Sequence, residues 1–275
     1  MKKFLIILAL ICAAIFTIAW VSSRWIRAYN HVLYFENLPP HLEGFRILQI
    51  SDLHSDSDHM NIDIWRHIDN LEFDMVAITG DIILGRRQFS SGPITELDPH
   101  REQFARLAAK VPTFFVEGNH ESHNFPQVAA LMDELGINFL RNDAVYHEFN
   151  GGIIEIIGLA DNSTLQRMRF AGFNELFNES ENFQLVLMHQ PQLFDLFNES
   201  GINLALAGHT HGGQIRLPFV PTIYAPGQGF WPRYGAGFYR HNDAVLYVSR
   251  GLGTTYFPLR FWNRPEIAVI ELRAK

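Results

Sequence analysis

Two histidines follow a short apolar run near residue 210 and have the character of metal ligands. The segment Gly208-His209-Thr210-His211 comes directly after residues 203–207, an apolar run typical of a buried strand. Glycine allows the backbone to turn sharply and to approach a ligand closely. Imidazole nitrogens are common ligands of divalent metals. One such pair is weak evidence, so the interpretation depends on whether other segments share the arrangement.

Four upstream segments do share it, each an apolar run with Asp, Asn or His at its exit. Taken singly, such a residue usually caps a turn or is satisfied by ordinary hydrogen bonds. Five such segments in one chain favour a common site, because ligands of open α/β sheets bind at the carboxyl ends of the strands. The candidate residues are Asp52, His54, Asp81, Asn119, His120, His189, His209 and His211.

These candidates offer only nitrogen and oxygen ligands, and there are more of them than one ion needs. With Asp81 as a central carboxylate, they predict two divalent ions about 3.5–4 Å apart, which lower the pKa of a bridging water from ~15.7 towards ~7. The predicted reaction is attack of that hydroxide on phosphorus, with His120 protonating the leaving oxygen while Asn119 binds metal. We expect Mn²⁺ first, with Fe and Zn²⁺ as alternatives, because this ligand set accepts all three.

Alternating apolar runs and helical periodicities predict the elements that position these residues. The 275-residue chain is 47% hydrophobic, enough for one sizeable core. The pattern indicates an α/β fold with buried sheets. Strands are predicted at 45–51, 75–79, 113–116, 183–188, 203–207, 245–249 and 267–272, a hairpin at 145–157, and helices at 62–71, from 98, at 126–135, 161–177 and 191–197.

The motifs Asp52-x-His54, Gly80-Asp81, Gly118-Asn119-His120-Glu121, His189 and Gly208-His209-Thr210-His211 resemble, in order, those of calcineurin-like metallophosphoesterases. The resemblance covers roughly residues 45–272 and implies a sandwich of two mixed β-sheets flanked by helices. It also implies that Asp52, His54 and His211 bind one metal and that Asn119, His189 and His209 bind the other. Asp81 would bridge the two, and His120 would be the catalytic acid.

Gly212-Gly213-Gln214, residues 249–253 and the N-terminal apolar segment resemble one bacterial branch of that family. Some of its members hydrolyse UDP-2,3-diacylglucosamine and others are general phosphodiesterases. The resemblance implies a metal-dependent phosphoric ester hydrolase, either a phosphodiesterase or a pyrophosphohydrolase, acting on lipid-linked or nucleotide-linked phosphate. The alternative is a non-catalytic, metal-dependent phosphate-binding scaffold at the membrane, against which the complete ligand set and His120 speak. Glu121 departs from the more usual Asp.

The chain begins with eighteen uncharged, mostly apolar residues, from Phe4 to Val21. As a helix they span about 27 Å, close to the ~30 Å hydrocarbon core of a bilayer. We favour a retained single-pass anchor in a bacterial cell membrane, and a cleaved signal peptide is the alternative. Lysines before the segment balance arginines after it, so the side of the membrane stays open. The predicted division is 1–23 anchor or signal peptide, 24–43 linker and 44–275 metallophosphoesterase domain.

Other features carry further predictions about partners and substrate binding. A net charge of −7 argues against nucleic acid as a partner, and the single Cys12 excludes disulfides within the chain. Aromatic residues at 218–240 and 256–262 form either a cap packed on the core or an apolar platform for acyl chains or the bilayer surface. The weak candidates for substrate binding are Arg86, Arg87, Phe230 and Trp231; Asp56, Asp58 and His59 are interpreted as a solvated loop. The oligomeric state is not predicted.

Overall fold

The computed structural model describes residues 1–55, 64–85, 94–161, 174–177, 180–254 and 259–275. Several features predicted from the sequence lie outside these ranges. They are Asp56, Asp58, His59, Arg86, Arg87, the 256–257 aromatic pair and most of the helix predicted at 161–177. The helices are α1 (Lys2–Arg24), α2 (Ile64–Ile68), α3 (Arg101–Lys110) and α4 (Phe125–Glu134). The strands are β1 (Arg27–Phe35), β2 (Arg46–Ile50), β3 (Met75–Ile78), β4 (Thr113–Phe115), β5 (Asn138–Phe139), β6 (Asp143–Phe149), β7 (Gly152–Gly158), β8 (Phe183–Leu187), β9 (Leu204–Ala207), β10 (Tyr224–Ala225), β11 (Gly229–Phe230), β12 (Gly237–His241), β13 (Ala244–Val248) and β14 (Glu266–Ala274).

Two six-stranded mixed sheets form the domain, which confirms the predicted sandwich. The first sheet has the order β1-β14-β2-β3-β4-β5, in which β2 to β5 run parallel and β14 is antiparallel to β2. The second has the order β12-β13-β9-β8-β7-β6, with four parallel strands between antiparallel edges. Each sheet therefore has a parallel centre whose carboxyl ends can carry a site.

The core strands are buried on both faces, which explains their nearly continuous apolar sequences. In β2 and β3, Ile47 and Met75 pack in the cluster between the sheets, whereas Leu48 and Val76 pack in the cluster that includes residues of α2, α3 and α4. This alternation follows from the two-residue period of a strand. Because both faces of β2 and β3 are covered, the strand ends are held rigidly.

Residues 24–43, predicted as a linker, contain the nine-residue strand β1, which pairs in parallel with β14. The sequence pattern did not indicate a strand because β1 lies at a sheet edge and only Leu33 and Phe35 are buried along it. The helix predicted at 191–197 is a 3₁₀ helix, Pro191–Leu196. The aromatic segment 218–240 contains β10, β11 and most of β12.

Helix α1 contains 23 residues and, among the described residues, is the one helix long and apolar enough to cross a membrane. Most of its side chains are exposed, so it is not a buried core helix. At ~1.5 Å per residue it is about 35 Å long. It is therefore a candidate for a membrane anchor or a signal sequence.

Candidate metal centre

The carboxyl-terminal ends of five strands meet at one edge of the sandwich. Strands β2, β3 and β4 of the first sheet lead into the first three candidate segments, and β8 and β9 of the second sheet lead into the last two. The residues brought to this edge are Asp52 and His54 after β2, Asp81 after β3, Asn119 and His120 after β4, His189 after β8, and His209 and His211 after β9.

The candidate ligands form two groups joined through Asp81. In the first group, His211 Nε2 lies 3.4 Å from Asp52 Oδ1 and 3.2 Å from His54 Nε2. In the second, His189 Nε2 lies 3.1 Å from Asp81 Oδ2 and 3.1 Å from His209 Nδ1. Asp81 Oδ2 is also 3.9 Å from His54 Nε2. One carboxylate thus lies between two sets of nitrogen and oxygen donors.

Five of these residues have the left-handed backbone conformation. Their φ angles are 51° at Asp52, 46° at His54, 51° at Asp81, 70° at His209 and 49° at His211. Residues other than glycine adopt this conformation uncommonly, and each such residue stores about 1–3 kcal/mol of strain. Strain of this kind persists where the surrounding structure imposes it, and it is concentrated at functional sites.

Glu121 and Gly118 fix the backbone around Asp81. The buried Glu121 carboxylate accepts hydrogen bonds from Asp81 N at 2.8 Å, Gly118 N at 2.8 Å and Ile83 N at 3.1 Å. A Cβ at Gly118 would overlap Asp81 Oδ1, so only glycine fits beside the carboxylate. The sequence marked Glu121 only as a departure from the usual Asp, because its three backbone partners are visible only in the fold.

Charge is unevenly distributed among the candidate ligands of the two groups. Burial lowers the pKa of His54 to about 3 and that of His209 to about 4, so both imidazoles are neutral. Burial also opposes charge on His189, but the carboxylates of Asp81 and Asp52 outweigh it and raise the His189 pKa to about 10. The pKa of buried Asp81 is held well below its ordinary value by the neighbouring His189. The positive charge of the His189 imidazolium therefore balances the negative charge of the Asp81 carboxylate.

The donors fit a pair of divalent cations. Asn119 Oδ1 is buried and, among the described residues, no group donates a hydrogen bond to it. The rings of His54 and His211 are stacked with their centroids 5.0 Å apart and their Nε2 atoms facing each other. Burial lowers the pKa of both imidazoles, so neither ring is protonated on both nitrogens. Nitrogen lone pairs and carboxylate oxygens therefore face one another with too few protons to form hydrogen bonds between all of them. Imidazole, carboxylate and amide oxygen are ligands that accept Mn²⁺, Fe or Zn²⁺.

Arg260 supports the first group and is not among the candidate residues that the sequence indicated. Its fully buried guanidinium donates to the carbonyl oxygens of Gly253 at 2.5 Å and Arg250 at 2.8 Å, and it lies 3.3 Å from His211 Nδ1. Burial lowers the pKa of Arg260 to about 10, which leaves it charged at neutral pH. No local pattern in the sequence indicates that this arginine is buried.

The weak aromatic candidates lie on and beside the hairpin formed by β10 and β11. Phe230 and Trp231 are 74% and 66% exposed, so neither is packed into the core. The turn between the strands approaches the second group, because a Cβ at Gly227 would lie 3.2 Å from His209 Nε2. The hairpin therefore borders the site, with these two side chains directed towards solvent.

Comparison with known proteins agrees with this geometry. Residues 45–213 match the calcineurin-like phosphoesterase family. The uncharacterized metallophosphoesterase YkuE of Bacillus subtilis (strain 168) is 30% identical over 266 residues, covering 93% of this chain and 88% of YkuE. Phosphodiesterase YaeI of Escherichia coli (strain K12) is 28% identical, covering 92% of this chain and 90% of YaeI.

Among solved structures, the phosphopantetheinyl hydrolase PptH from Mycobacterium tuberculosis is similar with a TM-score of 0.44 and 12% identity, over 80% of this chain and 96% of that chain. That likeness carries no argument about substrate. The family match covers more than half of the chain, and the relative YkuE is matched over most of both lengths. The chain belongs to the calcineurin-like phosphoesterase family and is a metallophosphoesterase.

Proposed function

We propose that this metallophosphoesterase is a membrane-anchored, dinuclear phosphodiesterase or pyrophosphohydrolase. The observation that carries the proposal is the position of Asp81 Oδ2, 3.1 Å from His189 Nε2 in one group and 3.9 Å from His54 Nε2 in the other. A carboxylate between two donor groups is what a pair of divalent ions requires. Two such ions supply Lewis-acid polarisation of a phosphoryl group and a nucleophile ionised near neutral pH.

The proposed roles follow from the donors that each group offers. Asp52, His54 and His211 would hold one ion, and Asn119, His189 and His209 the other, with Asp81 shared. The proposal of two ions is supported by membership of the calcineurin-like phosphoesterase family. We propose Mn²⁺ as the resident metal, with Fe and Zn²⁺ as alternatives.

His120 is proposed as the general acid. Its Nδ1 lies 2.6 Å from the carbonyl oxygen of Leu84, which can only accept a hydrogen bond, so Nδ1 carries a proton. This bond turns Nε2 towards the site, 3.8 Å from Asp81 Oδ2. The His120 side chain is 14% exposed, whereas those of His54 and His189 are fully buried. His120 is thus placed to meet a substrate and to protonate the leaving oxygen from Nε2.

The proposed substrate is a lipid-linked or nucleotide-linked phosphate, with UDP-2,3-diacylglucosamine as one candidate. Two observations support this class. The relative YaeI is named a phosphodiesterase, and the exposed apolar helix α1 supports placement of the domain at a membrane. The exposed aromatic side chains of Phe230 and Trp231 beside the site would contact the apolar part of such a substrate.

The experiment measures metal content and turnover on the full chain in a mild detergent. Chelated protein is reloaded with Mn²⁺, Fe²⁺ or Zn²⁺ and assayed on bis(p-nitrophenyl) phosphate, p-nitrophenyl phosphate, a nucleotide pyrophosphate and UDP-2,3-diacylglucosamine. We expect about two ions per chain and preference for diester or pyrophosphate. His120→Asn should retain both ions and lower turnover by about 10²–10⁴-fold.

His123→Asn is the matched control, because His123 lies three residues further on, in the 3₁₀ helix Ser122–Asn124, and is exposed. It should change neither metal content nor turnover. Full activity of His120→Asn would remove the assignment of the acid. Two bound ions without hydrolysis of any substrate would favour the phosphate-binding scaffold instead.

A further inference from the structure

A cavity whose lining includes none of the candidate metal ligands lies between α1 and an arginine-rich edge of the domain. Its volume is about 460 Å³. One wall is formed by the last two turns of α1, including Ile18 and Val21, and the opposite wall includes Arg27, Arg250 and Arg264. The cavity thus combines an apolar wall with three guanidinium groups.

Positive charge exceeds negative charge in this cavity. Arg250 Nε lies 3.5 Å from Glu266 Oε2, so one arginine has a carboxylate partner. The guanidinium of Arg27 stacks on the Tyr29 ring at 4.7 Å, and that of Arg264 stacks on Trp25 at 4.2 Å. Within the described part of the chain, neither Arg27 nor Arg264 makes an ion pair. Because the whole chain has a net charge of −7, this local excess is not a general property of its surface.

The cavity lies where α1 would leave a bilayer. Two hydrogen bonds hold the end of the helix on the domain: Arg260 N donates to Ser23 Oγ at 2.6 Å and Trp262 N donates to Ser22 Oγ at 3.2 Å. A helix of about 35 Å exceeds a hydrocarbon core of ~30 Å by about one turn. The arginines at its carboxyl end therefore lie at the depth of lipid headgroups, while Ile18 and Val21 lie at the depth of the acyl chains.

We propose that this cavity binds the phosphate headgroup of an anionic bilayer lipid, with an acyl chain along Ile18 and Val21. The inference rests on the proposal that α1 is a retained membrane anchor. Planar guanidinium groups bind phosphate oxygens bidentately, and the neighbouring aromatic rings keep them in place. A lipid bound there contacts both α1 and the domain, so it fixes how the metal centre is oriented relative to the membrane.

Native mass spectrometry of the full chain in mild detergent tests the proposal. The protein is presented with equal amounts of dioleoyl phosphatidylglycerol and dioleoyl phosphatidylcholine, and the retained lipid is counted. We expect at least about tenfold preference for phosphatidylglycerol, because Arg27 and Arg264 attract a headgroup of net negative charge. The double variant Arg27→Gln/Arg264→Gln should lower phosphatidylglycerol retention about tenfold or more. Millimolar inorganic phosphate should not displace the lipid, because it cannot use the apolar wall.

The matched control is Arg101→Gln/Arg106→Gln, which makes the same change of charge on α3, where both arginines pair with surface carboxylates. It should retain phosphatidylglycerol like the wild type. Equal retention of the two lipids by the wild type, equal loss in both double variants or displacement by inorganic phosphate would each overturn the proposal. The wild-type comparison needs no variant to fold. Retention is measured on chelated protein, so the result is independent of whether the enzyme hydrolyses any substrate.

Discussion

Replacing Gly118 by Ala tests directly how the chain positions the central carboxylate. Gly118 does not have a positive φ, so alanine introduces no backbone strain there. Its Cβ would overlap Asp81 Oδ1 and lie 2.8 Å from Asp81 Cγ. The added methyl group and the observed carboxylate position are therefore incompatible.

Asp81 cannot move without losing contacts. Its Oδ1 accepts a hydrogen bond from His120 N at 3.0 Å, and its own N–H donates to Glu121 Oε2 at 2.8 Å. Breaking one charge-assisted bond of this kind and overpacking the site together cost about 2–4 kcal/mol. For a chain of this size that lowers the melting temperature by about 4–16 °C. A displacement of about 1 Å at the reacting centre lowers turnover about 10²-fold.

The assay compares metal content, turnover and melting temperature of Gly118→Ala with those of Gly201→Ala. Gly201 has φ +82° and no atom within 4 Å of an added Cβ, so this control introduces backbone strain without a steric clash. It should cost about 1 kcal/mol and leave turnover unchanged. The reasoning is refuted if Gly118→Ala retains two ions and turns over within threefold of the wild type.

Three further predictions concern metal removal, pH and the buried arginine. Chelation should lower the melting temperature, and Mn²⁺ should restore it, because bound ions offset the strain and the buried charge of the site. Equal melting curves with and without chelator would contradict this prediction. Burial lowers the pKa of His31, so its contribution to stability is present above the unfolded-state value of 6.5 and is lost as pH falls below it. His31→Phe should therefore lose less melting temperature than the wild type between pH 7.5 and 5.0, and equal losses would exclude the effect. Arg260→Lys should lower the melting temperature by about 5 °C or more, because lysine cannot reproduce the forked bonds to Gly253 and Arg250. The control Arg240→Lys, at an exposed position, should change the melting temperature by less than about 2 °C. Similar shifts in both variants would show that Arg260 does not support the first ligand group.

The sequence predicted the sandwich, and it predicted which residues would meet at one edge, because each candidate ligand lies within a few residues of the end of an apolar strand. A buried strand such as β9 is recognisable by composition, and the next polar residues must lie at its carboxyl end. Strand β1 was missed because an edge strand that is mostly exposed has little apolar signal. Arg260 was missed for a different reason: its partners Gly253, Arg250 and Ser23 come together only through the fold, and nothing local marks an arginine as buried.

The arrangement of the core explains why the site can be both strained and well ordered. Ile50 and Leu187 are buried at the ends of β2 and β8, directly before the segments that carry Asp52 and His189. Each ligand group takes residues from both sheets, so the packing of the sheets determines the spacing of the donors within each group before any ion binds. Left-handed turns at Asp52 and Asp81 then place the carboxylates at the edge where the two ligand groups meet, at about 1–3 kcal/mol each. Because rigid strands rather than flexible loops support these turns, ion binding offsets a fixed strain and needs little further ordering of the chain.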